Sequence, residues 1–359
     1  MFGDIIHAGN EQCGIGLHCG EQVKKNCSAE KERVNQTMQS YTINEAEKEF
    51  LKNYDITRYD RPSVAADIAI FSVMARAGLT GREQVQDKEN YRKMPEQKLK
   101  ILLIRRASYP YKDCFSLPGG FCRKNEDIYE TARRELYEET YVENAYLNPC
   151  GIFGEAGRDP RGWVISHAFL ALIDGEQCRI KAGSDAWEAR WFDVTFSGEE
   201  IKKEVKEDDA FLEHKYVLTL ESSDIFATNL PDRREGEAIV LSAVIKEQKE
   251  FKNYHETLRY EVLENDGFAF DHAKIITCAL LSLRRQAQMG GPIVFDLMSK
   301  RFTLAQLQNA YEIILGRKLL TANFRRKMAD FVVETDEMIT GAGHRPAKLF
   351  QRNIEAFYR

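Results

Sequence analysis

Apolar residues form continuous runs in the first half of this chain and spaced stripes towards its end. Residues 64–73 and 99–106 are two such runs, and they predict a pair of buried β-strands. Residues 163–173 predict a third strand after a turn rich in glycine and charge. Between these strands an apolar residue recurs at every fourth position, which predicts a helix with one buried stripe. The stripe consists of Ile128, Ala132 and Leu136.

Three glutamates occupy the other face of this predicted helix. Glu135, Glu138 and Glu139 follow the spacing i, i+3 and i+4, so their like charges repel unless a cation lies among them. Carboxylates at this density suit Mg²⁺ or Mn²⁺, which are usually held together with substrate phosphates. The turn at residues 117–120 lets the backbone approach a metal ion or a phosphate. The pattern predicts a metal site for a phosphorylated ligand, and an exposed acidic helix with fortuitous spacing is the alternative.

Two further regions have clear local patterns. Asn44 suits the N-cap of a short helix that includes residues 49–51. Residues 198–264 are predicted to add an antiparallel β segment, which can cover a sheet edge or support a dimer. Its strand-like stretches are residues 216–220, 238–245 and 258–263.

Three helices are predicted after residue 266. Asp271 is expected to cap the first, and Thr303 opens the second with a capping box that ends at Gly316. Thr321 begins the third, whose inner stripe consists of Phe324, Met328 and Phe331. Arg326 then points away from that stripe, as a residue that reaches base edges or phosphates does. The competing interpretation is a packing or dimerisation module with a solvated basic face.

A β-hairpin is predicted to follow these helices. Gly341, Ala342 and Gly343 would form its turn, and the return strand carries Arg345 and Lys348. The residues expected to contact DNA are Asn323, Arg325, Arg326, Lys327, Arg345 and Lys348.

The distribution of charge divides the chain. It has 359 residues and a formal net charge of −5, enough length for two domains. Residues 266–359 contain 14 Lys and Arg against 9 Asp and Glu, so an acidic body carries a basic C-terminal part. Such asymmetry suggests a nucleic-acid contact at that end, with a solvated basic face as the ordinary alternative.

The N-terminal residues 1–42 are predicted to be a flexible extension. Histidines and cysteines occur within it, but their spacing matches no zinc motif of the CxxC type, and the eight cysteines of the chain are expected to be reduced thiols. The chain has no run of 18 apolar residues and no charged-then-apolar leader. We therefore expect a cytoplasmic protein that does not span a membrane.

The stretch from Gly120 to Val142 resembles the Nudix box. The matching residues are Gly120, Glu126, Arg134, Glu135, Leu136, Glu138, Glu139 and Val142. Tyr141 replaces the last glycine of the pattern, and since glycine there can leave the helix with φ above zero, a tyrosine is expected to reshape the helix exit.

The resemblance implies a role for each residue. Glu135 and Glu139 would hold Mg²⁺ or Mn²⁺ with help from the Gly119 carbonyl, and Glu138 would be a further ligand or orient the attacking water. Gly120, Glu126 and Arg134 would brace the loop against the helix. The implied reaction is hydrolysis of a nucleoside diphosphate derivative, with ADP-ribose as the leading ligand.

Arg158 and Arg161 are expected to contact the phosphates of this ligand. An Arg-Asp-Pro-Arg turn held by its own salt bridge is the alternative for these two residues.

The C-terminal segments resemble Nudix-related transcriptional regulators, a group that includes repressors of NAD metabolism. They include residues 270–272, 302–304, 323–327 and 344–347. The resemblance implies a winged helix-turn-helix that binds double-stranded DNA and, for a palindromic operator, a homodimer. The alternative is a housekeeping Nudix pyrophosphohydrolase whose C-terminal domain serves packing or dimerisation.

The expected fold class is α/β. A Nudix α/β/α sandwich spans residues 43–265, with the inserted β segment at 198–264. A winged helix-turn-helix domain follows at 266–359.

Overall fold

The structure is a computed structural model. It describes residues 43–75, 97–143, 145–174, 186–222, 227–228, 238–290, 292–339 and 346–357. The predicted extension at 1–42, the hairpin turn at 341–343 and Arg345 lie outside the described residues. The chain divides into two compact units, one ending at Asp60 and the other beginning at Arg61.

The first unit contains helix α1 (Glu45–Asn53) and a 3-10 turn (Ile56–Arg58). The Asn44 side chain accepts a hydrogen bond from the Glu47 N–H at 2.9 Å. The predicted cap is confirmed.

One mixed sheet dominates the second unit. Its strands are β1 (Ser63–Ala75), β2 (Gln97–Arg106), β3 (Phe115–Ser116), β4 (Gly119–Phe121), β5 (Leu147–Phe153), β6 (Val164–Leu172), β7 (Ala186–Val205), β8 (Ala210–Ser222), β9 (Ala227–Thr228), β10 (Ile239–Lys252) and β11 (His255–Asp266). Their main order is β11-β10-β8-β7-β2-β1-β6-β5. The central strand β1 pairs parallel with β6 and antiparallel with β2. Its continuous apolar run is buried because both faces of the sheet are covered.

Helix α2 (Ile128–Thr140) covers one face of the sheet. Ala132 and Leu136 from its apolar stripe pack against Ile68, Leu102 and Phe169. Asp127 caps the helix through a capping box with Glu130, which fixes the start of the helix at Ile128.

The predicted antiparallel β segment is confirmed. Strands β7, β8, β10 and β11 pair antiparallel in succession and continue the central sheet. Residue 198 lies inside β7, because that strand begins in the central sheet and runs on to Val205. The added segment therefore lengthens an existing sheet.

Helix α3 (His272–Met289) covers the opposite face. The sequence pattern placed this helix in the DNA-binding module. In the structure its buried side chains, among them Ile275, Leu280 and Leu283, join one hydrophobic cluster with the sheet and with the helices that follow. Helix α3 thus supplies the second helical layer of the sandwich, and the boundary at 265 stays a prediction.

The last part of the chain is a winged helix. Helix α4 (Leu304–Leu315) starts with the predicted capping box at Thr303, and helix α5 (Thr321–Met328) follows. Strands β12 (Val332–Ile339) and β13 (Ala347–Arg352) form the hairpin. Short 3-10 segments lie at Pro292–Leu297, Ala329–Phe331 and Ile354–Phe357. The predicted fold class, a Nudix sandwich followed by a winged helix, is confirmed.

No helix in the described part of the chain combines the length and hydropathy that a membrane span requires. The cysteines among those residues, Cys114, Cys122, Cys150 and Cys278, are free thiols.

Candidate functional site

The glycine turn and helix α2 meet at the Glu135 carboxylate. A Cβ at Gly120 would overlap Glu135 Oε1, and a Cβ at Gly119 would overlap the Ala66 carbonyl. Gly119 also has φ +155°, a conformation that side chains disfavour. Both positions require glycine, because the Glu135 carboxylate and strand β1 lie directly against this backbone.

Arg134 links the glycine turn to the start of the helix. Its Nε and Nη2 donate to the two carboxylate oxygens of Glu126 at 2.9 and 3.1 Å, and Nη2 also donates to the Phe121 carbonyl at 3.3 Å. Its Nη1 donates to Glu135. The hydrogen bonds from Arg134 lower the pKa of Glu126 to about 2. The predicted pairing of Glu126 with Arg134 is present.

The three box glutamates have different environments. Burial raises the pKa of the Glu135 carboxyl. Glu138 is 46% exposed and lies 3.4 Å from Arg123, whereas Glu139 is only 6% exposed. All three were predicted from the sequence to share one exposed face, and this is wrong for Glu139 and for Glu135, whose side chain is 12% exposed. Among the described residues, no three acidic, histidine or cysteine side chains converge as a metal site does.

The donor set nevertheless suits a hard divalent cation. Glu135 and its neighbours offer carboxylate oxygens, the ligands that Mg²⁺ and Mn²⁺ prefer. Glu135 lies directly against the backbone of Gly120. The chemistry of these residues therefore fits such an ion.

A cavity of about 200 Å³ adjoins the glycine turn. Its lining includes Asp67, Gly119, Arg158, Arg161, Phe270 and His272. Two arginines and an aromatic ring beside a glycine turn suit an anionic, aromatic ligand.

A larger cleft of about 910 Å³ lies between Tyr141, Asp296 and Arg352. It is remote from the glycine turn, and Arg352 there donates to Asp296 at 3.0 Å. We therefore place the candidate ligand site in the smaller cavity.

Arg161 is held by Asp159. Its Nε and Nη2 donate to the Asp159 carboxylate at 3.0 and 2.6 Å. The Arg161 guanidinium also lies over the rings of Phe121 and Phe270, at 5.0 and 5.2 Å from their centroids. The alternative salt bridge within this turn is therefore present, and Arg161 still faces the cavity.

Arg158 is bound to the start of helix α3. Its Nε and Nη2 donate to the two oxygens of Asp271 at 3.0 and 2.6 Å, and its Nη1 donates to Ser166 Oγ at 2.9 Å. Burial raises the pKa of Asp271, but the hydrogen bonds from Arg158 outweigh burial and hold it below its usual value. Asp271 precedes the helix as predicted, yet its side chain makes no cap hydrogen bond and binds Arg158 instead.

His272 connects helix α3 to the glycine turn. Its Nδ1 accepts a hydrogen bond from the Leu117 N–H at 2.8 Å. Burial lowers the pKa of His272, so the ring is neutral at pH 7. Asp67, Phe270 and His272 were not predicted from the sequence as cavity residues, because no local motif relates them to the Nudix box.

The predicted DNA-contacting residues of helix α5 are exposed. Arg326 lies opposite the buried Phe324 and Met328, and the exposed Asn323, Arg325 and Lys327 lie on the flanks of that stripe. Arg326 donates to Asn323 Oδ1 at 3.4 Å, and Lys327 donates to the Gln288 carbonyl at 2.6 Å. Lys348 on the hairpin pairs with Glu334. The two lysines are thus engaged within the protein.

Tyr141 ends helix α2 in the left-handed conformation, with φ 56° and ψ 19°. Its N–H donates to the Tyr137 carbonyl at 2.9 Å. The tyrosine has thus taken the type of conformation that the box glycine would adopt, in place of the reshaped exit expected from the sequence.

The fold and the site define a Nudix domain joined to a DNA-binding winged helix. The family model of the NUDIX domain matches residues 93–214, and that of the NrtR DNA-binding winged helix domain matches residues 294–351. The chain therefore contains a region similar to the NUDIX domain followed by a region similar to the NrtR-type winged helix.

Individual relatives agree with this. The chain is 28% identical over 315 residues to the ADPR responsive transcriptional repressor NtrR of Acinetobacter baylyi, covering 87% of this chain and 90% of that protein. It is 46% identical over 100 residues to the ADP-ribose pyrophosphatase of Methanocaldococcus jannaschii, covering 28% of this chain and 57% of that enzyme. A MutT/nudix family protein from Enterococcus faecalis has the same fold, with a TM-score of 0.55 and 22% identity over 90% of this chain and 98% of its own.

Proposed function

We propose that this protein is a transcriptional regulator whose DNA binding responds to ADP-ribose or a similar nucleoside diphosphate derivative. The observation that carries the proposal is the shared hydrophobic cluster, which joins the Nudix sheet to the winged helix through α3. A nucleotide site and a DNA reader within one packed core are suited to influence each other.

The cavity beside Gly119 supports the ligand. A diphosphate can accept hydrogen bonds from the arginines, and an aromatic base can stack on Phe121 or Phe270. The similarity to an ADPR responsive repressor and to an ADP-ribose pyrophosphatase supports ADP-ribose over other nucleotides.

The exposed side chains of helix α5 support DNA binding. Arg325 and Arg326 are available to base edges or phosphates, with Asn323 beside them. Lys327, Lys348 and Arg345 are proposed to contact the DNA backbone. A homodimer remains a prediction from the two-fold symmetry of palindromic operators, and light scattering tests it.

Hydrolysis of the ligand is a second candidate function. The intact Glu135, Glu138 and Glu139 favour it, as does the similarity to the archaeal pyrophosphatase. Glu135 and Glu139 would hold Mg²⁺ or Mn²⁺ with the Gly119 carbonyl, and Glu138 would be a further ligand or orient water. A bound metal ion would neutralise charge on the diphosphate. Arg134 and Glu126 keep Glu135 beside the turn.

The test starts from a random pool of duplex DNA, from which the protein selects its own binding sequence. Fluorescence anisotropy then measures affinity for that duplex and for a scrambled one, at physiological salt, with and without ADP-ribose. We expect preference for the selected duplex and a change of affinity when ADP-ribose is added. If no sequence is enriched and scrambled DNA binds equally well, the C-terminal domain is the packing module.

A further inference from the structure

Asp271 has the position of a helix N-cap but not its hydrogen bond. The other N-cap side chains with this chemistry, Asn44, Asp127 and Thr303, each accept a hydrogen bond from the first turn of their helices. Asp271 has no such bond: both its oxygens accept from Arg158, and its backbone (φ −98°, ψ 22°) is not in the extended conformation of the other three N-caps. Besides Lys274, whose Nζ lies 3.4 Å from Oδ2, this carboxylate therefore has two possible sets of donors, the helix amides and the arginine.

Arg158 is the buried cation of the ligand cavity. Its side chain is 5% exposed, and Asp67 Oδ2 lies 3.8 Å from its Nη2. Asp271 and Ser166 occupy its hydrogen-bonding directions in this structure. Phosphate oxygens that enter the cavity would bind the same guanidinium, because a guanidinium can donate two parallel hydrogen bonds to a phosphate as it does to a carboxylate.

We propose that the diphosphate of a bound nucleotide competes with Asp271 for Arg158 and thereby releases the N-terminus of helix α3. This inference rests on the proposed nucleotide site and adds the means of its regulation. The released Asp271 returns to its N-cap role, in which it accepts from amides of the first helical turn. In this exchange the diphosphate replaces Asp271 as the anionic partner of Arg158. Asp271 keeps Lys274 as a cationic neighbour, at 3.4 Å, so neither buried charge is left unpaired.

The far end of helix α3 holds the DNA-binding helices. The Gln288 carbonyl accepts a hydrogen bond from Lys327 of α5, and a Cβ at Gly290 would lie 2.6 Å from Lys327 Cε. Arg284 donates to the Ile314 carbonyl at the end of α4 and to the Phe196 carbonyl of β7. The helix has 18 residues, about 27 Å in length.

A change at the start of α3 can reach α5 because residues 272–280 are buried and the rest of the helix stays packed through Leu283 and Ala287. Buried helices in close-packed cores shift as rigid elements between discrete arrangements. A shift of Gln288 alters its bond to Lys327, a residue proposed to contact DNA. The nucleotide thus favours one arrangement of α5, as linkage requires when the two states differ in ligand affinity.

The test compares Asp271→Asn with a matched control, Glu155→Gln. Asparagine remains a good N-cap but cannot form the ion pair with Arg158. Glu155 also contacts the first turn of α3, through Lys274 at 2.8 Å, but its side chain does not bind Arg158. Calorimetry measures ADP-ribose binding, and amide hydrogen exchange of residues 321–328 measures the response of α5.

In the wild-type chain and in Glu155→Gln, ADP-ribose should change exchange in α5 and alter DNA affinity within the roughly 5- to 150-fold range of allosteric couplings. In Asp271→Asn, ADP-ribose should bind more tightly because no carboxylate competes for Arg158. Adding ADP-ribose to this variant should change neither amide exchange in α5 nor DNA affinity. Retained responses in Asp271→Asn overturn the proposal. The proposal is also overturned if the wild-type chain binds ADP-ribose and amide exchange in α5 does not change. This outcome is measured on the wild-type chain alone, so it does not depend on whether a variant folds.

Failure of the proposed function has a different signature. In that case calorimetry detects no ADP-ribose binding to the wild-type chain at all. Arg158→Lys gives a second check, because lysine lacks the fork that binds Asp271 or a diphosphate through two parallel bonds. It should weaken ADP-ribose binding and abolish the response of α5 together, and a normal response would contradict the competition.

Discussion

Helices α2 and α3 cover opposite faces of one sheet, but their polar residues find partners at very different distances along the chain. Arg134 of α2 binds Glu126 and the Phe121 carbonyl, both within the same short motif. Residues of α3 bind partners more than a hundred positions earlier, as His272 does with the Leu117 N–H. A motif therefore describes the chemistry of α2, whereas the role of α3 emerges only in the folded chain.

The two helices also differ in exposure. Helix α2 buries its apolar stripe together with Glu139 and presents other charged residues, such as Arg133 and Glu138, to solvent. Helix α3 buries most of its length, including His272 and Lys274. Buried polar groups persist where they are paired: His272 accepts from Leu117 beside the cavity, and Lys274 pairs with Glu155. We therefore expect α2 to supply the residues that bind the ligand and α3 to connect the ligand cavity to the winged helix.

The largest expected effect is on hydrolysis. Glu139→Gln should abolish metal-dependent turnover of ADP-ribose, because it removes a proposed metal ligand without changing the volume of a buried side chain. Product release is measured with Mg²⁺ and again with a chelator. Glu143→Gln, an exposed residue just beyond the helix, is the control and should retain activity. Unchanged turnover in Glu139→Gln would contradict the proposal that Glu139 is a metal ligand.

The next effect tests whether α3 joins the two domains. Leu283 is fully buried, so Leu283→Ala should lower the free energy of unfolding by about 2–5 kcal/mol. Urea unfolding should remain a single transition, since the sheet and the winged helix share one cluster. Leu263 is exposed, so the control substitution Leu263→Ala should change the free energy of unfolding by less than about 0.5 kcal/mol. Two separate transitions in the wild-type chain would contradict the shared core.

A smaller effect is expected at the DNA-binding surface. Arg326→Ala should cost about 1–3 kcal/mol on the selected duplex, through loss of a base or phosphate contact. Lys348→Ala should weaken all sequences similarly and flatten the salt dependence, although Glu334 already occupies this lysine. Anisotropy titrations over a range of salt separate the two. Equal losses on scrambled and selected DNA would show that Arg326 does not read sequence.

Local patterns predicted much of this fold. The strands containing residues 64–73 and 99–106, the capping box at Thr303 and the glycine turn beside Glu135 all depend on neighbouring residues. The environment of Glu139 was misjudged because helical spacing places residues relative to one another, while burial depends on what covers them. The pairing of Arg158 with Asp271 could not be predicted from local sequence either, because the two residues are 113 positions apart in the chain.

The smallest effect concerns how the two helices end. Helix α3 ends in the left-handed conformation at Gly290, with φ 79°, whereas α2 ends in that conformation at Tyr141. A side chain there costs roughly 1–2 kcal/mol, and the contact of the Tyr141 ring with Tyr137, at 5.7 Å between centroids, offsets part of that cost.

Comparing two substitutions of Tyr141 isolates the backbone strain. Tyr141→Ala removes the ring and keeps the disfavoured conformation, whereas Tyr141→Gly removes both. The glycine variant should therefore be about 1 kcal/mol more stable than the alanine variant in urea unfolding. Equal stabilities would mean that α2 leaves the left-handed conformation in solution. The tyrosine would then have reshaped the helix exit, as the sequence alone suggested.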